Sequence, residues 1–366
     1  MHTSTFWLNR RTNLKPSPRP EPRHPGAAPM GADAPASAST TMPSELVTLI
    51  PPGTGGVRDY AEIMSQHIPS RILAPTAQTP LADYGGSDIV LNFSGYGYHP
   101  RGIPSWMVER LAQLRARGSR IGIFFHELFT TTEPPWRSAF WLGPTQRRIA
   151  ADLGNLASYW LTNCDSGAQW LRANCAPAPH RVLPVYSNVG EPAAPQTGAR
   201  TDKVVIFGGS TIRSNTYRRL GQDFWRWVME QGLSVHDIGP PIESSDYDRL
   251  RECGRIRAHG SLPAAQVSDY LLQARYGLLC YPPHLVAKSG VFAAYCAHGV
   301  CTVLLDDLYE PHDGLQPNVH YAAGLDALQN ETADPAMLGA AAFAWYQPHR
   351  VEAHVQAFRA LMAESA

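Results

Sequence analysis

No two of the six cysteines stand as a Cys-x-x-Cys pair, which removes the commonest zinc and dithiol patterns. Three of them, Cys280, Cys296 and Cys301, lie in apolar segments, as expected of buried reduced thiols in a cytosolic protein. An excess of one charge is missing too. Lys+Arg and Asp+Glu each total 31, so no global field attracts nucleic acid or an anionic membrane. No apolar run approaches the ~20 residues that span a bilayer, and the first residues carry no hydrophobic block of the signal-peptide kind. Gly-x-Gly-x-x-Gly is absent from both halves, so a dinucleotide fingerprint is unsupported. No Asp-x-Asp stands in a suitable loop. Asp306-Asp307 is the nearest acidic pair and reads as a cap, so no metal site is expected.

What is present is length and alternation. A chain of 366 residues exceeds one ordinary core, and two domains are expected. Residues 1–43, rich in Pro, Ala, Ser and Arg, are expected to be disordered, with Met30 and Met42 as alternative starts. Apolar runs at 46–50, 71–73, 88–93, 120–125, 159–162 and 181–185 read as strands. Helical segments stand between them at 58–67, 105–117, 138–156 (with a break near Gly143-Pro144) and 165–173. A Pro/Ala/Gly-rich linker follows at 190–202, and the pattern restarts. Strands are expected at 203–207, 234–238, 255–259, 276–281, 301–305 and 318–322, with helices at 216–231, 263–274 and 350–364. This predicts an α/β protein of two Rossmann-like domains, 44–189 and 203–348, facing across a cleft, with a last segment 349–366.

The stretch from Tyr276 to Leu305 shows the plan best. A strand stopped by Pro282-Pro283, a loop, Lys288-Ser289-Gly290, a helix of small and aromatic residues, Gly299 and a second strand make a βαβ unit. A cation and a serine at a helix N-terminus suit a phosphate. In the plainer alternative Ser289 caps the helix and Lys288 is solvated. Near the chain's start, Pro51-Pro-Gly-Thr-Gly-Gly-Val57 is a glycine-rich turn between strand and helix that lets another molecule approach the backbone. The strand at 120–125 delivers His126 and Glu127 to its carboxyl end, where open α/β sheets bind ligands.

On these residues the chain resembles a GT-B glycosyltransferase, most similar to the large retaining group that includes sucrose and glycogen synthases. The resemblance covers roughly 45–366. It implies that Gly55 and Gly56 lie near the donor diphosphate and that Arg213, in the Gly208–Arg213 loop, grips it together with Lys288, Ser289 and Gly290. It also places His126 against the transferred sugar, His259 to Pro263 beside the nucleotide base, and the last helix back on the first domain. Two departures stand out. Ala294 occupies the place of the family's second glutamate, with no carboxylate between Lys288 and Leu305. The lysine expected after Arg213 is also missing, leaving Arg218 or Arg219 as substitutes.

The implied activity is metal-independent transfer of a sugar from a UDP- or GDP-sugar, without a cofactor, to a glycan, lipid-linked or small-molecule acceptor. His126 could orient a sugar hydroxyl and Glu127 could act as base; either could instead cap a turn or be buried with a partner. Tyr96, Tyr98, His99 and Arg101 form a candidate acceptor platform, or the tyrosines pack their loop down. The aromatic run 134–141 suits a lid, or a weak peripheral membrane contact. A nucleotide-binding protein of this fold without catalysis is a second reading. A nucleotide-dependent oxidoreductase is a third, opposed by the missing fingerprint.

Overall fold

The structure, a computed structural model, describes residues 45–130, 138–194, 200–330 and 334–365. The expectations for 1–43, most of the aromatic run 134–141 and the middle of the 190–202 linker fall outside these residues.

Two six-stranded parallel sheets carry the fold. The first comprises β1 (Leu46–Leu49), β2 (Arg71–Leu73), β3 (Asp88–Ser94), β4 (Arg120–Glu127), β5 (Tyr159–Thr162) and β6 (His180–Val182), in the order β2-β1-β3-β4-β5-β6. The second comprises β7 (Thr201–Phe207), β8 (Ser234–Ile238), β9 (Ile256–Ala258), β10 (Ala274–Leu279), β11 (Cys301–Leu304) and β12 (Ala322–Ala323), in the order β12-β11-β10-β7-β8-β9. Strand order therefore reverses at β1/β3 and at β7/β10, the positions where such sheets open a ligand crevice at their carboxyl ends. In β4, Ile121 and Ile123 to Phe125 are all fully buried. This is a continuous apolar run rather than an alternating one, because helices cover both faces. Gly122 is needed there, since a Cβ would come within 2.2 Å of the Tyr159 ring on β5.

The βαβ unit anticipated at 276–305 is present, with β10 paired to β11 from Tyr276↔Cys301 to Leu279↔Leu304. Other expectations need correction. The single helix at 216–231 is two, Ser210–Arg219 and Gln222–Glu230, because Gly221 starts a new helix after an extended Leu220. The break expected near Gly143-Pro144 is absent: one helix, Ser138–Leu156, runs through Pro144. The edge strand shrinks to Ala322–Ala323, because Asn318 turns left-handed (φ 56°) and its side-chain oxygen accepts the Ala323 N–H. Helices Ser245–Glu252 and Pro335–Tyr346 were not anticipated. For the latter, Asp334 accepting from Ala336 N–H and Pro335 at the first position were readable signals.

The terminal helix, Val351–Glu364, crosses to the first domain as expected. Arg120 Nη1 donates to Met362 O at 2.8 Å, and Arg181 pairs with Glu364 at 2.6 Å. Between them His354 is fully buried, with Nδ1 2.8 Å from the Tyr60 hydroxyl and Nε2 2.9 Å from Pro184 O. Burial holds its pKa down to about 3, and that of His126 likewise to about 3.

The unfolded chain takes up these protons near pH 6.5, whereas the folded chain refuses them until about pH 3. Stability should therefore be full above pH 6.5 and fall as pH drops toward 3. Urea unfolding as a function of pH is expected to show this slope, and His354→Leu should flatten it.

Candidate functional site

The cleft between the two sheets' carboxyl edges holds two adjoining pockets. The larger, about 400 Å³, lies mainly on the first domain and is bounded by Tyr96, Phe129, Gln146 and Trp170. The smaller, about 230 Å³, is formed by Gly56, Tyr60, Ser94 and Tyr186 on one side and Tyr281 and Gly290 on the other. His126, Glu127, Asn163 and Lys288 line both.

Glu127 is the last residue of β4, where the register slips so that Ser94 of β3 lies opposite it. Ser94 Oγ donates to Glu127 Oε2 at 2.9 Å, and Lys288 Nζ of the other domain lies 3.4 Å from Oε1. The Glu127 side chain is 45% exposed and that of Lys288 17%. The pair thus spans the cleft where the pockets meet, with one partner from each domain.

Lys288 ends a 3₁₀ turn, Pro283–Lys288, whose backbone is tied to the first domain by Val185 N–H donating to Ala287 O at 3.0 Å. Ser289 is buried, and its hydroxyl accepts the Phe292 N–H at 3.3 Å. It caps the helix Gly290–Ala297, as the plainer of its two readings has it, and its side chain does not line either pocket. Gly290 does line the smaller pocket, with nothing within 4 Å of where its Cβ would stand. The N–H groups of Gly290 and Val291 precede the first intrahelical bond, Ala293 N–H to Ser289 O. Gly55 (φ 143°) and Gly56 open the helix Gly56–His67 across the cleft, and both have the same open space above the backbone.

His126 is buried against Tyr60 and Phe124, and its Nε2 is 3.1 Å from Asn92 Oδ1. Its pKa of about 3 comes first from burial, then from His354 and Lys288. It is a neutral imidazole at neutral pH. With Nε2 donating to Asn92, Nδ1 is the acceptor, which suits a hydroxyl contact better than proton abstraction.

The other expected site residues divide. Tyr96 lines the larger pocket, where its hydroxyl accepts from Thr130 Oγ1 (3.1 Å) and Gln146 Nε2 (3.2 Å). Tyr98 does not: it is buried beside Trp106 and donates to Asn92 O at 3.1 Å. His99 Nδ1 accepts the Arg101 N–H at 3.1 Å, and Arg101 contributes only its carbonyl to Gln146 beneath the pocket wall. The four-residue platform reduces to Tyr96: the turn Gly95–Tyr98 brings Tyr96 to the pocket and Tyr98 into the core, and His99 and Arg101 do not line the pocket.

Arg213 requires the largest correction. It is fully buried, 2.7 Å from Asp237 Oδ1, and donates to the carbonyls of Gly208 and Pro240. Tyr217 and Tyr247 satisfy the same Asp237. Every side of the guanidinium is engaged inside the second domain, so no diphosphate reaches it. Of the suggested substitutes, Arg219 is paired with Asp307 at 2.7 and 3.0 Å, and Arg218 is exposed. Ala294 is also fully buried, leaving no room there for a carboxylate.

Residues missed by sequence reasoning are Tyr60, Asn163, Tyr186 and Tyr281 around the smaller pocket, and Gln146 and Trp170 around the larger. Asn163, at the carboxyl end of β5, carried a positional signal. The others lie on helices or connections whose inward face only packing reveals.

Two parallel α/β domains facing across a cleft, with the final helix returning to the first, define the GT-B fold. No protein-family model matches the chain, and no curated protein matches it. Solved structures do. A glycosyltransferase from Rickettsia africae ESF-5 is similar with a TM-score of 0.59 and 9% identity, over 88% of this chain and 98% of that one. A protein assigned as a UDP-N-acetylglucosamine 2-epimerase from Listeria monocytogenes has a TM-score of 0.56 and 12% identity, over 87% and 97%. An α,α-trehalose 6-phosphate synthase from Burkholderia multivorans has a TM-score of 0.52 and 15% identity, over 84% and 74%. At these identities the likeness establishes the fold.

Arg213→Met is expected to cost about 3–5 kcal/mol, because it leaves the Asp237 carboxylate buried without its cation. A denaturant titration reads this directly. A variant as stable as the parent would show that Arg213 is not committed to Asp237.

Proposed function

We propose that the protein transfers a sugar from a nucleoside-diphosphate donor to an acceptor hydroxyl, with the donor in the smaller pocket and the acceptor in the larger. One observation carries the reading: Glu127 and Lys288, from opposite domains, meet at the partition shared by both pockets. A base for the acceptor and a cation for the leaving group are both needed at the point where donor and acceptor meet.

The diphosphate binds at the N-terminus of the helix Gly290–Ala297, where the Gly290 and Val291 N–H groups and Lys288 balance its charge. The open glycines of the first domain, Gly55 and Gly56, let the donor lie close to the backbone. Lys288 is paired with Glu127. An arriving diphosphate competes for the ammonium, and Glu127, still held by Ser94, turns to the acceptor. The acceptor oxygen then bonds to the anomeric carbon as the carbon–oxygen bond to phosphate breaks. The proton passes to Glu127, and the nucleoside diphosphate leaves with its charge on Lys288 and the helix end. His126, neutral, accepts from a sugar hydroxyl through Nδ1. No step in this scheme calls on a metal ion.

Calorimetry with UDP and GDP tests the donor half. Lys288→Ala should weaken the preferred nucleotide about 10–100-fold, or about 1.4–2.8 kcal/mol. Glu127→Gln should bind nucleotide at least as tightly as the parent, because Lys288 loses its competing carboxylate, while turnover of the nucleotide-sugar falls ~10²–10⁴-fold. Turnover is expected to survive EDTA. Equal nucleotide affinity in the parent and Lys288→Ala removes the donor assignment. Nucleotide binding with no turnover of any nucleotide-sugar in the parent favours a binding protein, and release of an epimerised donor favours isomerisation over transfer.

A further inference from the structure

We propose that the larger pocket takes an acceptor whose hydroxyl sits on an apolar, ring-bearing skeleton, a phenol or an alicyclic alcohol, in place of a polyhydroxylated glycan. This deepens the transfer reading and rests on it for the reaction, though not for the binding.

The pocket's volume of about 400 Å³ falls within the ~300–1,000 Å³ of small-molecule sites. Its walls are formed by Leu128, Phe129, Trp170 and Leu285 with the ring of Tyr96. Phe129 and Trp170 meet edge to face with centroids 4.9 Å apart, and the Arg147 guanidinium lies 5.2 Å over the Phe129 ring. A flat ring entering the pocket meets an aromatic wall already in place, so few side chains must be ordered.

Most of the polar side chains in the same walls already hold hydrogen bonds within the protein. Gln146 Oε1 accepts from Thr130 N–H at 3.1 Å, while its amide nitrogen donates to Tyr96 Oη and to Arg101 O. Thr162 Oγ1 donates to Phe125 O at 3.2 Å, and Asn163 Nδ2 to His126 O at 3.1 Å. A sugar ring carries a hydroxyl on most of its carbons. Each would give up water on entering, and with most of the wall's polar groups engaged some would stay unpaired, which costs free energy for every group so left. A skeleton with a single hydroxyl meets that cost only where it is repaid, at the Glu127–Lys288 corner where the reaction needs an oxygen. This is the usual build of a small-molecule site, apolar walls with one polar fixing point.

Calorimetric titration of the full chain with 2-naphthol and with maltotriose tests the proposal. The titrations run without nucleotide, so they are read whether or not the donor experiment succeeds. 2-Naphthol should bind at least tenfold more tightly than maltotriose, and Trp170→Ala should lose at least tenfold of that affinity. Leu128→Asn, on the same wall, should give a comparable loss and serves if removal of Trp170 unfolds the protein. Maltotriose binding as tightly as 2-naphthol overturns the acceptor class. So does 2-naphthol affinity that is unmoved in whichever of the two variants remains folded.

Discussion

The contact on which the arrangement depends is the aromatic cluster at the floor of the cleft. Tyr60 lies 4.9 Å from Phe124, 4.9 Å from His126 and 4.6 Å from Tyr186, centroid to centroid. His354, brought over by the terminal helix, closes the cluster through the Tyr60 hydroxyl and Pro184 O. The cluster joins the end of the chain to the first domain and also forms part of the smaller pocket's wall. Because its two histidines are neutral and each is held by at least one hydrogen bond, it can be dry. A charged floor would need water or counter-ions in the pocket.

Burial also separates ionisable groups committed to the fold from those still open to solvent. Arg213 and Asp237 are both almost wholly buried, and with Tyr217 and Tyr247 they form a closed network at the carboxyl end of the second sheet. Such a network holds the loops after β7 and β8 in register but has nothing left for a ligand. Glu127 and Lys288 are the opposite case: a partly exposed pair, 3.4 Å apart, which solvent screens and an arriving anion can divide. The group with the stronger motif resemblance is the structural one. The pair placed by the opposed sheet edges is the one left partly exposed.

Much of the architecture was legible from local pattern. Continuous runs such as Ile121 to Phe125 and Cys301 to Leu304 announce buried parallel strands, and the capped, glycine-ended helix between β10 and β11 announces a crossover. The misread elements were those where periodicity and local signals disagreed. Pro144 removes one hydrogen bond from the helix Ser138–Leu156, yet the helix continues through it. Leu220-Gly221 breaks an amphipathic stripe that periodicity alone joins.

In the site, sequence order by itself determined that His126, Glu127, the Gly53–Gly56 turn and Lys288–Gly290 sit at strand or helix ends, because chain direction in a parallel sheet places those ends at one edge. It could not determine which side chain faces the cleft. Only the tertiary structure turned Tyr98 and Arg213 inward, through hydrogen bonds to Asn92 O and Asp237, and brought Glu127 within reach of Lys288, 161 residues away. The reason is physical: the edge a residue occupies is a matter of backbone direction, whereas its role is a matter of what surrounds it, and those neighbours come from distant parts of the chain.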